Sequence, residues 1–166
     1  MVAHYVLPPR GSGLLNAMPE PYEGQIVPLK LKCLKDPVDA RVVGVLGNTT
    51  ERRGMKLISM PSRVIRAGDV HELISTTERA EPGEAVDDVG YLAWVAFDAP
   101  GVLVVGDSVY ADGDLLGEVL GFDETHAPNH MNIVLMTDRL LTGRTAKLVP
   151  NARLVFVGRS REALGW

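Results

Sequence analysis

Apolar and polar residues alternate with a period of two through much of this chain. That period marks strands with one buried and one wet face. In PLKLKCL, Leu29, Leu31 and Cys33 alternate with Lys30 and Lys32, which predicts a strand and makes Cys33 a small core residue. After the turn signal KDP, ARVVGVLG predicts a second strand. GMKLISM, closed by Pro61, predicts a third, with RVI continuing past a bulge or corner. GYLAWVAFD, NIVLMT, TAKLV and RLVFV predict four more, punctuated by Gly143 and Pro150. The sharpest local signal is Asp112-Gly113 between two β-rich runs, where a tight hairpin needs residues that accept positive φ.

Three stretches break the pattern. In GDVHELIS, Asp69 and Glu72 have capping-box spacing while Val70, Leu73 and Ile74 share one helical face, so a single helical turn is expected. TTERAEPGEAVDD reads as a polar acidic loop, long enough to be a lid or binding loop. Residues 1–24 carry Pro8, Pro9, Pro19 and Pro21 with Gly11, Gly13 and Gly24, which suit neither helix nor strand interiors. They read as an extended arm crossing the body or a partner subunit, or equally as a partly disordered leader. Tyr5, Leu7, Leu14, Leu15 and Met18 give that arm apolar groups to bury on a neighbouring subunit, so a homo-oligomer is expected.

Many short strands separated by Gly and Pro turns, without βαβ alternation, predict a mostly β fold. The expected form is a single antiparallel β-barrel or barrel-like sandwich with little helix. The expected divisions are the arm at 1–24, the barrel at 25–158 and a C-terminal tail at 159–166, where GRSREALGW forms a terminal helical turn or frays.

Composition narrows the class. With 166 residues, 46% hydrophobic and 23% charged, the chain can bury a core. A net charge of −4 leaves no basic excess for phosphate backbones, so nucleic acid is not an expected partner. No apolar run approaches the roughly 20 residues a bilayer span needs, and the first residues lack a signal-peptide pattern. A single cysteine excludes an intramolecular disulfide. These features together lead to the expectation of a soluble cytoplasmic protein.

The chemistry concentrates in FDETHAPNHMN, which places Asp123, Glu124, His126, Asn129, His130 and Asn132 between two apolar runs. His126 and His130 are four residues apart, but Pro128 between them argues against a regular helix. Converged by a loop, they and Asp123 or Glu124 form a candidate set for a divalent metal, or for acid–base work without one. The polar groups can equally serve the backbone where a loop enters a strand. Arg52, Arg53, Lys56, Arg63 and Arg66 form a basic cluster suited to an anionic ligand, or to a solvated face paired with the acidic loop. His71, between Asp69 and Glu72, is a further candidate for acid–base work or phosphoryl acceptance.

Two resemblances add to this reading. GDSVYADGDLLGEVLGF followed by HMNIVL resembles the C-terminal barrel segment of the sorbitol/glucitol-specific IIA proteins of the bacterial sugar phosphotransferase system. The matching positions are Gly106, Asp107, Gly113, Val119, Gly121, His130 and Ile133. The chain also resembles a bacterial family of uncharacterised domains carrying GMKLISMPSRVI and DETHAPNHMNIV. The first implies a barrel and a phosphocarrier role, and the second covers most of the chain without implying an activity. Three functions stay open at this point. They are a barrel that binds or transforms a small anionic metabolite at the Asp123–Asn132 loop, a phosphocarrier-like protein, and a non-catalytic assembly subunit.

Overall fold

The computed structural model describes residues 20–24, 27 and 30–166. Most of the expected arm, and with it the expected docking on a neighbour, lies outside the described residues. Among the described residues there are twelve strands and one short helix. Strands β1 (Val38–Val45), β5 (Val70–Thr76), β7 (Val89–Phe97), β9 (Ser108–Ala111), β10 (Asp114–Asp123), β11 (Asn132–Met136) and β12 (Arg153–Val157) pair in the order β1-β12-β9-β10-β11-β5-β7, and β7 pairs back to β1. Seven strands therefore close a ring of hydrogen-bonded neighbours with no free edge within it. The short strands are β2 (Thr49–Thr50), which pairs with the first residues of β7, β3 (Met55–Lys56) with β6 (Ala85–Val86), and β4 (Ser62–Ile65) with β8 (Gly101–Val104).

The ring is mostly antiparallel, as expected, but β11 and β5 run parallel. The reason is parity: directions cannot alternate all the way round a ring of seven, so one neighbouring pair must be parallel. This pair positions the site described below.

The interior is filled by alternate residues of every ring strand, among them Val42, Leu73, Val95, Val109, Phe122, Ile133 and Phe156. A second cluster, Met55, Leu57, Ile74, Val86, Val89, Leu120 and Val134, covers the opposite face of β5 and β11. Those two strands are thus buried on both sides.

The hairpin forms as predicted. Asp112 and Gly113 have φ of 48° and 97°, and Ala111 faces Asp114 across the turn. Four expectations are corrected. GDVHELIS is a strand, not a helical turn: cross-strand pairing with both β7 and β11 overrides a short capping signal. TAKLV is a run of turns, because Lys147 takes a φ of 56° and Thr142 and Thr145 bond to each other's backbone. GMKLISM pairs as a strand only at Met55–Lys56; beyond it Leu57 bonds to Glu84 and Ile58 to Phe122. In PLKLKCL, residues 31–34 alternate in exposure, as does the following Lys35, but they pair with no strand, and Cys33 is only half-buried. That segment is fastened by Lys35, whose Nζ lies 3.0 Å from the buried Asp107 carboxylate. The tail forms α1 (Arg161–Leu164), capped by Ser160.

Candidate functional site

Parallel pairing of β11 with β5 places the starts of both strands at one edge of the ring. The register sets Asn132 opposite Glu72, Glu72 opposite Trp94 on β7, and Asn132 opposite Asp123 on β10. Side chains in a cross-strand row share a face. Trp94, Glu72, Asn132 and Asp123 therefore form one row on the outward face, and the loop 124–131 folds over it.

Within this row Asn132 is fully buried and donates from Nδ2 to Asp123 Oδ2 at 2.7 Å. The Thr125 hydroxyl donates to the other Asp123 oxygen at 2.6 Å. The imidazole of His130 meets Trp94 edge-on, with centroids 4.6 Å apart, and His126 stacks on its other side at 4.8 Å. His130 Nε2 is buried and lies 3.8 Å from Glu72 Oε2, without a hydrogen-bond partner. Arg53 reaches the exposed His126 ring at 3.5 Å.

His71 projects from the other face of β5, beside Phe97. Its Nδ1 accepts a hydrogen bond from the Met131 backbone N–H at 3.2 Å. The neutral ring therefore carries its proton on Nε2, the edge facing Asp69 Oδ2 at 3.8 Å. Arg63 pairs with Glu124 at 2.6 Å. Arg63, Arg66, Asp69, His71, Glu124 and His130 all line a cleft of about 370 Å³.

Burial dominates the protonation of this cluster. It pushes the His71 imidazole down, against the pull of Asp69, with Arg63 and His130 adding to the drop. It pushes His130 down as well, assisted by His126 and opposed by Asp123. It raises the Glu72 carboxyl, opposed by His126 and Arg53. All three groups are thereby favoured in their neutral forms.

The expected residues separate into groups. His130, Glu124 and Arg63 reach the cleft, and Arg66 joins them. Asp123 and Asn132 are buried and do not line it; Asp123 borders a second hollow instead. His126 and Asn129 are exposed, with His126 reached by Arg53. Arg52 is exposed in left-handed backbone, and Lys56 faces a different hollow with Glu20 and Glu23. The basic cluster is thus split, and among the described residues none of its members forms an ion pair with the acidic loop Glu78–Asp88. Among the described residues no group of three or more His, Cys, Asp or Glu has the arrangement of a metal site.

Glu72 was the residue that sequence reasoning missed. Its capping-box spacing with Asp69 pointed to a helix, while its pairing with Asn132 joins positions sixty apart in the chain.

A closed seven-stranded ring with a polar cleft at the start of its parallel pair defines a small mostly β domain. The chain belongs to a family of unknown function, DUF6917, whose model matches residues 32–157. No curated protein and no solved structure matches it, so the local likeness to the sorbitol/glucitol-specific IIA proteins has no relative behind it. No helix among the described residues is long and apolar enough to cross a membrane.

Proposed function

We propose that this protein binds a small anionic metabolite in the cleft between β4, β5 and the loop 124–131. One observation carries the reading: His71 and His130, from separate parts of the chain, line the same cleft of about 370 Å³ as Arg63 and Arg66. The guanidinium groups suit a carboxylate or phosphate. Two neutral imidazoles beside them suit hydrogen bonding or proton exchange with that ligand. The cleft volume sits at the small end of the usual range for ligand sites, about 300–1,000 Å³.

The test is thermal melting of the wild type, and of a variant carrying Arg63→Ala and His130→Ala, against inorganic phosphate and a panel of small mono- and dicarboxylates. A ligand at a hundredfold excess over its Kd stabilises the fold by about 2.7 kcal/mol. A rise in Tm in the wild type that is lost in the variant is the expected result. A wild type indifferent to every anion, or a variant that responds equally, overturns the proposal.

A further inference from the structure

With the cleft taken as the proposed ligand site, the buried neighbour of His130 acquires a role. Glu72, on β5, brings its Oε2 to 3.8 Å from His130 Nε2. Its side chain is 11% exposed and, among the described residues, accepts no hydrogen bond. Two buried atoms around it also lack partners: His130 Nε2, and Oδ1 of Asn132, the residue opposite Glu72 in the ladder. A buried polar atom without a partner destabilises the fold, so this adjacent pair requires an explanation.

The second ring nitrogen of His130 supplies it. Nδ1 lies 3.4 Å from Asn129 Oδ1. Oδ1 only accepts, so the ring proton belongs on Nδ1 and Nε2 presents its lone pair to Glu72. An ionised Glu72 has no proton for that lone pair or for Asn132 Oδ1. A protonated Glu72 has one.

We infer that Glu72 and His130 hold one carboxyl proton between them and act as the acid–base dyad of the cleft, with Glu72 as the buried proton store. Toward a bound anion the dyad donates. The Glu72 O–H bond breaks as Nε2–H forms, and the Nδ1–H bond breaks as the proton passes to the ligand oxygen. The dyad is left as a carboxylate beside an Nε2–H imidazole, one proton poorer, and the ligand is one proton richer. The reverse sequence abstracts a proton. Burial keeps the Glu72 carboxyl above its ordinary range and the imidazole below its own, which favours the neutral starting pair. The charged or titratable groups around it are His126 and Arg53 toward Glu72, and His126, Asp123 and His71 toward His130. Their cations oppose the neutral carboxyl without removing the burial that favours it. A small carboxylic acid or phosphate monoester is the ligand class that can both pair with Arg63 and exchange a proton in this way.

The experiment needs no ligand, so its failure is separate from that of the anion screen. Long-range proton–nitrogen NMR of the full chain reports which nitrogen of each histidine carries the proton. In the wild type His130 is expected as the neutral Nδ1–H form while Glu72 keeps its proton. It should switch to Nε2–H as the pH rises and Glu72 ionises. In Glu72→Gln the pH-driven switch is expected to vanish, while the His71 signals stay in place. A wild-type His130 that keeps one tautomer at every pH overturns the dyad without reference to any variant. So does a switch that survives in a folded Glu72→Gln protein.

Discussion

Asn132 donates to Asp123 across the β10–β11 ladder at 2.7 Å, and both side chains are shut away from solvent. The bond ties the start of β11 to the end of β10. Asn132→Ala leaves the buried Asp123 carboxylate with Thr125 alone. A stranded buried charge costs more than the 1–3 kcal/mol of a neutral group, so a loss of about 3 kcal/mol in urea unfolding is expected. Asp123→Asn removes the charge but keeps an oxygen that can accept from Asn132, and should be milder. Equal losses in the two variants would show that charge is not the issue.

Arg63 and Glu124 present the opposite case. Both are about one-third exposed, so solvent screens the pair and its contribution is about 0.2–1 kcal/mol. Arg63→Ala is expected to leave the unfolding midpoint almost unchanged while abolishing the anion-dependent rise in Tm. A variant that loses stability in step with ligand response would place Arg63 in the scaffold instead.

Acid should weaken the fold through its histidines. Burial lowers the folded-state pKa of His71 and His130 below 6.5. Between that lowered value and 6.5 the unfolded chain binds more protons, so stability is complete above 6.5 and is lost as pH falls. Glu72 and Asp107 act in reverse. Burial raises them above 4.5 and 3.8, so the folded chain holds the extra proton and gains stability as pH falls through their folded values. Tm should therefore drop between about pH 7 and pH 5, less steeply in a His71→Gln, His130→Gln variant and more steeply in Glu72→Gln. A double variant that tracks the wild type would remove the histidines from the explanation.

Gly90 tests the packing of the 138–150 connection on the ring. A Cβ at this position would overlap the Leu141 carbonyl and lie 2.9 Å from Ser75 Oγ. The same Ser75 hydroxyl donates to Leu141 O at 2.6 Å and accepts from Leu141 N at 3.0 Å. Gly90→Ala is expected to destabilise the protein by about 3 kcal/mol, whereas Ser75→Ala should lose only the bridge. A Gly90→Ala protein with an unchanged midpoint in urea would mean the connection gives way freely.

Most strands were legible because a two-residue period is a local property. GYLAWVAFD, NIVLMT and RLVFV carry it in their own side chains, and Asp112-Gly113 carries its turn in its own backbone preferences. TAKLV and GMKLISM carry a similar apolar content, yet their backbones bond to turns and single distant carbonyls. Local pattern does not encode which partner a backbone finds. GDVHELIS shows the limit from the other side, since two neighbouring strands outweighed a capping signal within one turn.

The loop 122–132 was visible in the sequence by itself, as a dense polar run between apolar ones. Its division of labour was not. Asn132 and Asp123 became buried support, His126 an exposed stacking partner and His130 a cleft residue, because their places depend on the face each takes in the ladder. Glu72 and His71 joined them only because β5 lies parallel to β11, which brings the starts of two strands sixty residues apart to the same edge. A seven-membered ring must contain one such pair, and only closure of the ring decides which pair it is.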